Sequence, residues 1–456
     1  MITTYDAVFK LKANFLSALN DGEHGTKRSA LLRLAILSSG FSKLCGFALQ
    51  ALAIPLLYHS LGQHRYDLYM LFAGALATIG LAQMGAGPGL TQGLAKANAS
   101  GNRAREAALL AAAFRVFTAT ALVAGASMLF VFHNVPPERL FGPAFAADRH
   151  EIWVDGNVCV AVLALTVLAG VVDSALAGYQ EQVFIHLGSA VSNIMCIGLL
   201  FVVCRHGPTL IGVIVVLYGV PMLPRAINLI VLSRRRPYLF KAFFQSSGGS
   251  YGLLLNAGVA FWGIEIASLL EQNCGTYELA HLSSIAATAL FAVAYKGVVL
   301  AGAVVSTVTV PLWPAYTDAI AHRDVGWIRR SHEKIRRALM AYSCAVAVVI
   351  VFAGQWIFTR LLHVDMTGNR LLFAILGVYF ISSIWTHLLY VSLMGVENMW
   401  KIAMIVLAEN LLLVSCGLIL VPRLGAAGMA LAYLCASLAL PVWLLPRMWH
   451  GALTRI

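Results

Sequence analysis

The sequence predicts an all-α polytopic membrane protein, with about twelve transmembrane helices in two parallel six-helix bundles around a central cavity. Three observations carry that prediction. Of 456 residues, 60% are hydrophobic and 11% charged, against roughly 25% charged in an ordinary soluble domain. So few charges cannot cover a water-exposed surface of this size, whereas lipid accepts apolar side chains directly. The apolar residues also gather in runs long enough to cross a bilayer, where a helix satisfies its own backbone groups. Finally, the two halves of the chain repeat one another. The same composition excludes a disordered chain and a small disulfide scaffold. The net charge of +12 lies in short patches between apolar runs, which is a topology signal and argues against nucleic acid as a partner.

Taken in order, residues 1–28 form a cytoplasmic N-terminal segment without a secretory signal. Val8, Leu11, Phe15 and Leu19 recur there at helical spacing, with Lys10 and Lys12 between them. That pattern reads either as a helix lying on the membrane surface or as a frayed terminus. The spans follow at about 30–58, 66–91, 107–132, 153–177, 183–204, 209–232, 252–271, 278–310, 336–362, 370–394, 400–421 and 425–446. Lys and Arg crowd the connections on one side, from Lys96, Arg103 and Arg105 through Arg234, Arg235 and Arg236 to the Arg323–Arg337 stretch. The positive-inside rule therefore puts both termini in the cytoplasm. Seven of the eight cysteines fall in or beside apolar runs, and only Cys274 is read in a connecting loop. None has metal-ligand or loop-disulfide spacing.

The repeat divides the chain into an N-terminal bundle, 29–241, and a C-terminal bundle, 242–456. Tyr66-Asp67-Leu68 at the start of the second span recurs as Tyr277-Glu278-Leu279 at the start of the eighth. Gly178 with Asn193 recurs as Gly395 with Asn410, and Gly212 recurs as Gly428. Equivalent positions are separated by an even number of spans, so the halves share one orientation, as parallel repeats do around a transport cavity. Gly85-Ala86-Gly87-Pro88-Gly89 and the Pro311, Pro314 pair break the second and eighth spans at corresponding places. They either permit bending or simply end helices at the surface.

These residues also carry a family likeness. Ser38-Ser39-Gly40-Phe41-Ser42-Lys43, the Leu61-Gly62 turn, Tyr66-Asp67-Leu68-Tyr69, Gly85 to Gly89 and Gly101-Asn102-Arg103 occur in an order that resembles one exporter branch. It is the polysaccharide-export, or O-antigen flippase, branch of the multidrug/oligosaccharidyl-lipid/polysaccharide (MOP) exporter superfamily. Gly395-Val396-Glu397-Asn398 and Val421-Pro422-Arg423-Leu424-Gly425-Ala426-Ala427-Gly428 extend the likeness to the C-terminal half. The resemblance implies a MATE-like, V-shaped pair of bundles in the bacterial inner membrane. It also implies a flippase that moves a polyprenyl-diphosphate-linked oligosaccharide to the outer leaflet by alternating access. Glycosyltransferases and a polysaccharide polymerase are the partners that such a role implies. No cofactor is expected beyond coupling to H⁺ or Na⁺.

Ionisable residues inside the spans are costly in lipid and point to function. The basic ones are Lys43, Arg115 and Lys296, cations suited to a diphosphate that must shed its hydration. The alternative is that Arg115 snorkels to the surface while Lys43 or Lys296 pairs with a carboxylate. The acidic ones are Asp173, Glu265 and Glu409, which suit binding and release of H⁺ or Na⁺, or else form static ion pairs. Asn193 and Asn410 are expected to hydrogen-bond between helices. Tyr69, Trp262, Tyr295 and Trp385 serve either as sugar-stacking faces or as interface anchors. His186 and His387 are isolated imidazoles, read more readily as core residues than as proton carriers.

Two further readings stand beside the flippase. One is a cation-coupled multidrug exporter of the same superfamily. The other is a membrane glycosyltransferase or polymerase, which needs a long outward loop for its catalytic groups. The short stretches His59–Arg65 and Glu271–Gly275, both read as outward loops, argue against an enzyme.

Overall fold

A computed structural model describes residues 24–77, 85–140, 143–241, 251–362, 368–396 and 399–455. The periodic stretch from Val8 to Leu19 lies outside them. Among the described residues the regular structure is helical, as expected where no water competes for backbone hydrogen bonds. Nine helical segments there are long and apolar enough to cross a membrane.

The chain divides into two compact units, Met1–Val259 and Ala260–Ile456. The first contains α1 (His24–Leu61), α2 (Gln63–Ala77), α3 (Ala86–Ala99), α4 (Arg103–Asn134), α5 (Arg149–Gly178), α6 (Gln182–Arg205), α7 (Leu210–Arg235) and α8 (Pro237–Lys241). α7 passes through one π-helical turn, Val215–Gly219, and the Cys196 thiol of α6 donates to the Val216 carbonyl there at 3.1 Å. α9 (Tyr251–Leu282) crosses the boundary between units. The second unit continues with α10 (Ile285–Thr309), α11 (Leu312–Ala321), α12 (Val325–Leu362), α13 (Arg370–Val396), α14 (Met399–Ala439) and α15 (Pro441–Arg455). α14 bends at Gly425, whose φ of 54° is left-handed, so it holds two of the predicted spans in one element.

The repeat shows most clearly where a span is interrupted. α3 starts after Gly85 (φ 65°) and α11 after Pro311, and each half-helix lies against a long neighbour at a glycine. A Cβ on Gly178 of α5 would come within 2.9 Å of the Thr91 carbonyl on α3, and one on Gly395 of α13 within 2.9 Å of the Trp313 carbonyl on α11. That closeness lets one threonine bridge each contact. Thr91 Oγ1 reaches the Gly87 carbonyl of its own helix (3.1 Å) and Ser174 across the interface (3.0 Å). Thr317 Oγ1 reaches Trp313 (3.0 Å) and, across the interface, Gly395 (3.4 Å). Gly212 and Gly428 correspond as well, three residues past Thr209 and Gly425 at the start of the last long helix of each half.

Other parts of the expected repeat fail. Tyr277-Glu278-Leu279 does not open the eighth span; it lies in the last turns of α9. The polar residues Gln272, Asn273 and Thr276 do not form a loop, because α9 continues through them to Leu282. Gly275 is a packing contact there, since its added Cβ would stand 2.7 Å from the Phe291 ring of α10. The basic Arg323–Arg337 stretch is likewise mostly helix, running into α12 from Val325. Asn410 does not bridge helices: its Nδ2 donates to Val406 of its own helix at 3.0 Å. Asn193 stands against Gly46 of α1.

At the α3, α4 and α8 ends of the first unit, buried Glu106 ties several elements together. It accepts from the hydroxyls of Tyr179 (2.9 Å) and Tyr238 (2.7 Å), while Arg236 stands 3.6 Å away and caps the Tyr179 ring at 3.4 Å. Arg236 also bonds Asn98 of α3 and pairs with Glu181 at 3.7 Å. Burial, then the Glu106 carboxylate, push the Tyr179 hydroxyl above its ordinary value, which keeps it a donor.

Two outcomes follow for stability, read by SDS titration in mixed micelles. Gly178→Leu and Gly395→Leu should each cost about 1–3 kcal/mol through overpacking, and Thr91→Val about 1 kcal/mol. Glu106→Ala, which removes the buried carboxylate that accepts from two phenols, should cost about 2 kcal/mol, against about 1 kcal/mol for Tyr238→Phe.

Candidate functional site

Glutamate and tyrosine are costly on a lipid-facing helix surface, so several of them converging inside one bundle mark an interior polar chamber. The second unit contains such a chamber, a cavity of about 500 Å³ among α9, α10, α13 and α14. Glu271, Glu409, Tyr295, Tyr379, Tyr390 and His387 are among its polar lining, and no Lys or Arg contributes among the described residues.

Each carboxylate accepts from a phenol. Tyr379 donates to Glu271 Oε1 at 3.1 Å, and Tyr390 donates to Glu409 Oε2 at 2.8 Å. Tyr433 donates to the backbone carbonyl of Glu271. Tyr295 stacks on Phe291 with centroids 5.3 Å apart and lies 4.9 Å from the Tyr433 ring. This aromatic wall fixes where the hydroxyls point. His387 Nε2 is hydrogen-bonded to Thr309 Oγ1 at 3.0 Å, at the last residue of α10.

A second void of about 10 Å³ is bordered by Glu271, Glu409, Tyr379, Tyr433 and Asn410. Asn410 Oδ1 is buried without a hydrogen-bond partner. Two carboxylates, an amide oxygen and phenol oxygens make an all-oxygen donor set, which suits a hard cation or a proton. Among the described residues no group of three or more His, Cys, Asp or Glu is placed so that it could hold a metal ion. A proton on either carboxylate, or a hard cation held between them, offsets their negative charge.

The residues singled out in the sequence are distributed as follows. Glu409 lines the chamber. Glu265 sits on α9 outside the lining, with Oε2 buried and unpartnered. Asp173 of α5 is paired with Arg225 of α7 at 2.8 Å, the static arrangement. Lys43 is half-buried on α1, within electrostatic reach of His186 on α6. Arg115 on α4 and Lys296 on α10 are exposed, Lys296 adjoining Tyr295 but not lining the cavity. Of the aromatic candidates, Tyr295 belongs to the chamber, and the Arg336 guanidinium lies 6.0 Å from the Trp385 ring centroid.

Glu271 escaped the sequence reading because the polar residues after it resemble a loop. The signal was nonetheless present: Glu271, Cys274, Gly275 and Glu278 fall at i, i+3, i+4 and i+7, one face of a helix. Gly275 and Glu278 on that face are buried, and an added Cβ at Gly417 of α14 would collide with the Glu278 carboxylate.

No protein-family model matches the sequence, and no curated protein sequence matches it. Solved structures do match along almost the whole chain. The Vibrio cholerae MATE transporter VcmN in its bent form superposes with a TM-score of 0.78 at 14% identity, over 94% of this chain and 98% of that one. The fold is that of the MATE transporters. A second MATE structure in the bent conformation gives a TM-score of 0.75 at 14% identity, covering 95% of this chain and 97% of the other. A MOP superfamily transporter from Pyrococcus furiosus, described by a reversed polarity of its binding pocket, gives 0.74 at 13% identity over 94% and 97%. At these identities the likeness extends to the fold, and the site must be argued from this chain's own residues.

Proposed function

We propose that this MATE-fold chain is a membrane transporter working by alternating access, driven by H⁺ or Na⁺ taken up between Glu271 and Glu409. The single observation that carries the reading is two phenol-bonded carboxylates sharing a chamber with no Lys or Arg among its described lining residues. A carboxylate that cannot be neutralised by Lys or Arg is neutralised by a mobile ion whenever the chamber closes to water. Glu265, with its unpartnered oxygen on the same helix as Glu271, is an auxiliary carboxylate in this scheme. Asp173, held by Arg225, remains a candidate only if that pair opens during the cycle.

For the cargo we propose a polyprenyl-diphosphate-linked oligosaccharide carried from the cytoplasmic to the outer leaflet of the bacterial inner membrane. Lys43, Arg115 and Lys296 would neutralise the diphosphate. The sequence resemblance supports this reading, as do the exposure of Arg115 and Lys296 and the partial exposure of Lys43 on long apolar helices. The distribution of Lys and Arg supports cytoplasmic termini in this scheme. The second reading is export of amphipathic cations, favoured by the acidic, aromatic character of the chamber.

Two experiments in proteoliposomes test these assignments. Glu271→Gln and Glu409→Gln should each reduce gradient-driven transport to background while the protein remains folded; wild-type transport indifferent to both H⁺ and Na⁺ gradients would refute coupling. The double variant Lys43→Gln/Lys296→Gln should lose flipping of a fluorescent polyprenyl-diphosphate glycan. Full retention of flipping would remove the cation assignment, and efflux of ethidium by the wild type without any glycan flipping would establish the second reading.

A further inference from the structure

α15 closes the chain as a two-faced helix. Leu445, Trp449, Ala452 and Leu453 are buried, while Arg447, Gly451 and Arg455 border a groove opposite the first turns of α14. The groove encloses about 590 Å³, and α14 contributes Trp400, Lys401 and Met404 to it. Among the described residues three cations line it and no carboxylate does. A Cβ built on Gly451 meets no heavy atom within 4 Å, so the space beside this helix is open. Trp400 and Met404 are exposed, as is Trp443 two turns back from Gly451 on α15, so the groove adjoins an apolar surface.

A concentrated positive patch set at the ends of two membrane helices, beside exposed tryptophan and methionine, is complementary to a molecule with an anionic head and apolar tails. We propose that this groove binds the headgroup of an anionic bilayer phospholipid. Arg447, Arg455 and Lys401 donate to its phosphate, and Trp400 and Met404 lie along the start of its acyl chains. Guanidinium and ammonium donors to phosphate form charge-assisted hydrogen bonds, and the glycerol ester region fits beside an indole at the interface. The assignment is independent of the transported cargo, since none of these residues lines the chamber of Glu271 and Glu409.

The test uses the full chain in detergent, with phosphatidylglycerol or phosphatidylcholine of identical acyl chains added. Native mass spectrometry and the thermal midpoint are the readouts. The wild type should retain phosphatidylglycerol and gain thermal stability from it, with phosphatidylcholine giving neither effect. Lys401→Gln/Arg447→Gln/Arg455→Gln should weaken phosphatidylglycerol binding at least about ten-fold, given the contribution of each cation near an anionic surface. Gly451→Phe, which keeps every cation but fills the groove, should weaken it similarly while leaving the helix content and apo thermal midpoint unchanged. Equal retention of the two lipids, or unaltered phosphatidylglycerol binding in both variants, would overturn the proposal. Displacement of the lipid by millimolar inorganic phosphate would overturn it too, marking the groove as a site for free anions.

Discussion

A helix interrupted inside lipid releases backbone groups that nothing in the surroundings can satisfy, and this constraint organises both halves of the molecule. Each half meets it in the same way. A half-helix is pressed onto a long neighbour at a glycine, close enough for one threonine to hydrogen-bond to its own helix and to the neighbour together. Gly178 and Gly395 are therefore contact surfaces; any side chain there would separate the two backbones. The break supplies local freedom in a span while the threonine limits how far the half-helix can depart.

The halves share this scaffold and differ in their polar interiors. In the first unit Asp173 is paired with Arg225, and Glu106 is held by Arg236 with Tyr179 and Tyr238, while Asp155 is buried with Oδ2 unpartnered. In the second, Glu271 and Glu409 are met by phenols alone. A phenol donates to a carboxylate without cancelling its charge, so the site stays receptive to a mobile cation. The two halves thus share the threonine-bridged half-helix and differ in the partners of these carboxylates.

Much of the fold was legible because lipid imposes one dominant rule, long apolar runs, and because glycine and proline mark the breaks in those runs. The equivalence of Gly178 and Gly395 was readable from spacing, and the structure gives both the same task. The errors have a common cause. Polar residues in an otherwise apolar chain suggest helix ends, yet Gln272, Asn273 and Thr276 lie on a helix that continues to Leu282. That misplacement hid Glu271, the partner of Glu409, and made Tyr277-Glu278-Leu279 seem to open a span that it follows. Asn410 was recognisable as costly in lipid, but hydropathy could not tell that its amide would turn to its own helix and leave Oδ1 beside a small void. Side-chain partners across helices are three-dimensional facts that periodicity does not encode.

The corner at Gly425 bears on how the molecule can be handled. Pro422, Arg423 and Leu424 are exposed there, and the change of direction falls on a single left-handed residue between two long helical arms. A protease needs several extended residues to grip, and an inserted epitope needs slack at both ends. This corner offers neither, so accessibility probes for that end of the last two spans belong on replaced side chains such as Arg423, with the length of the backbone left as it is.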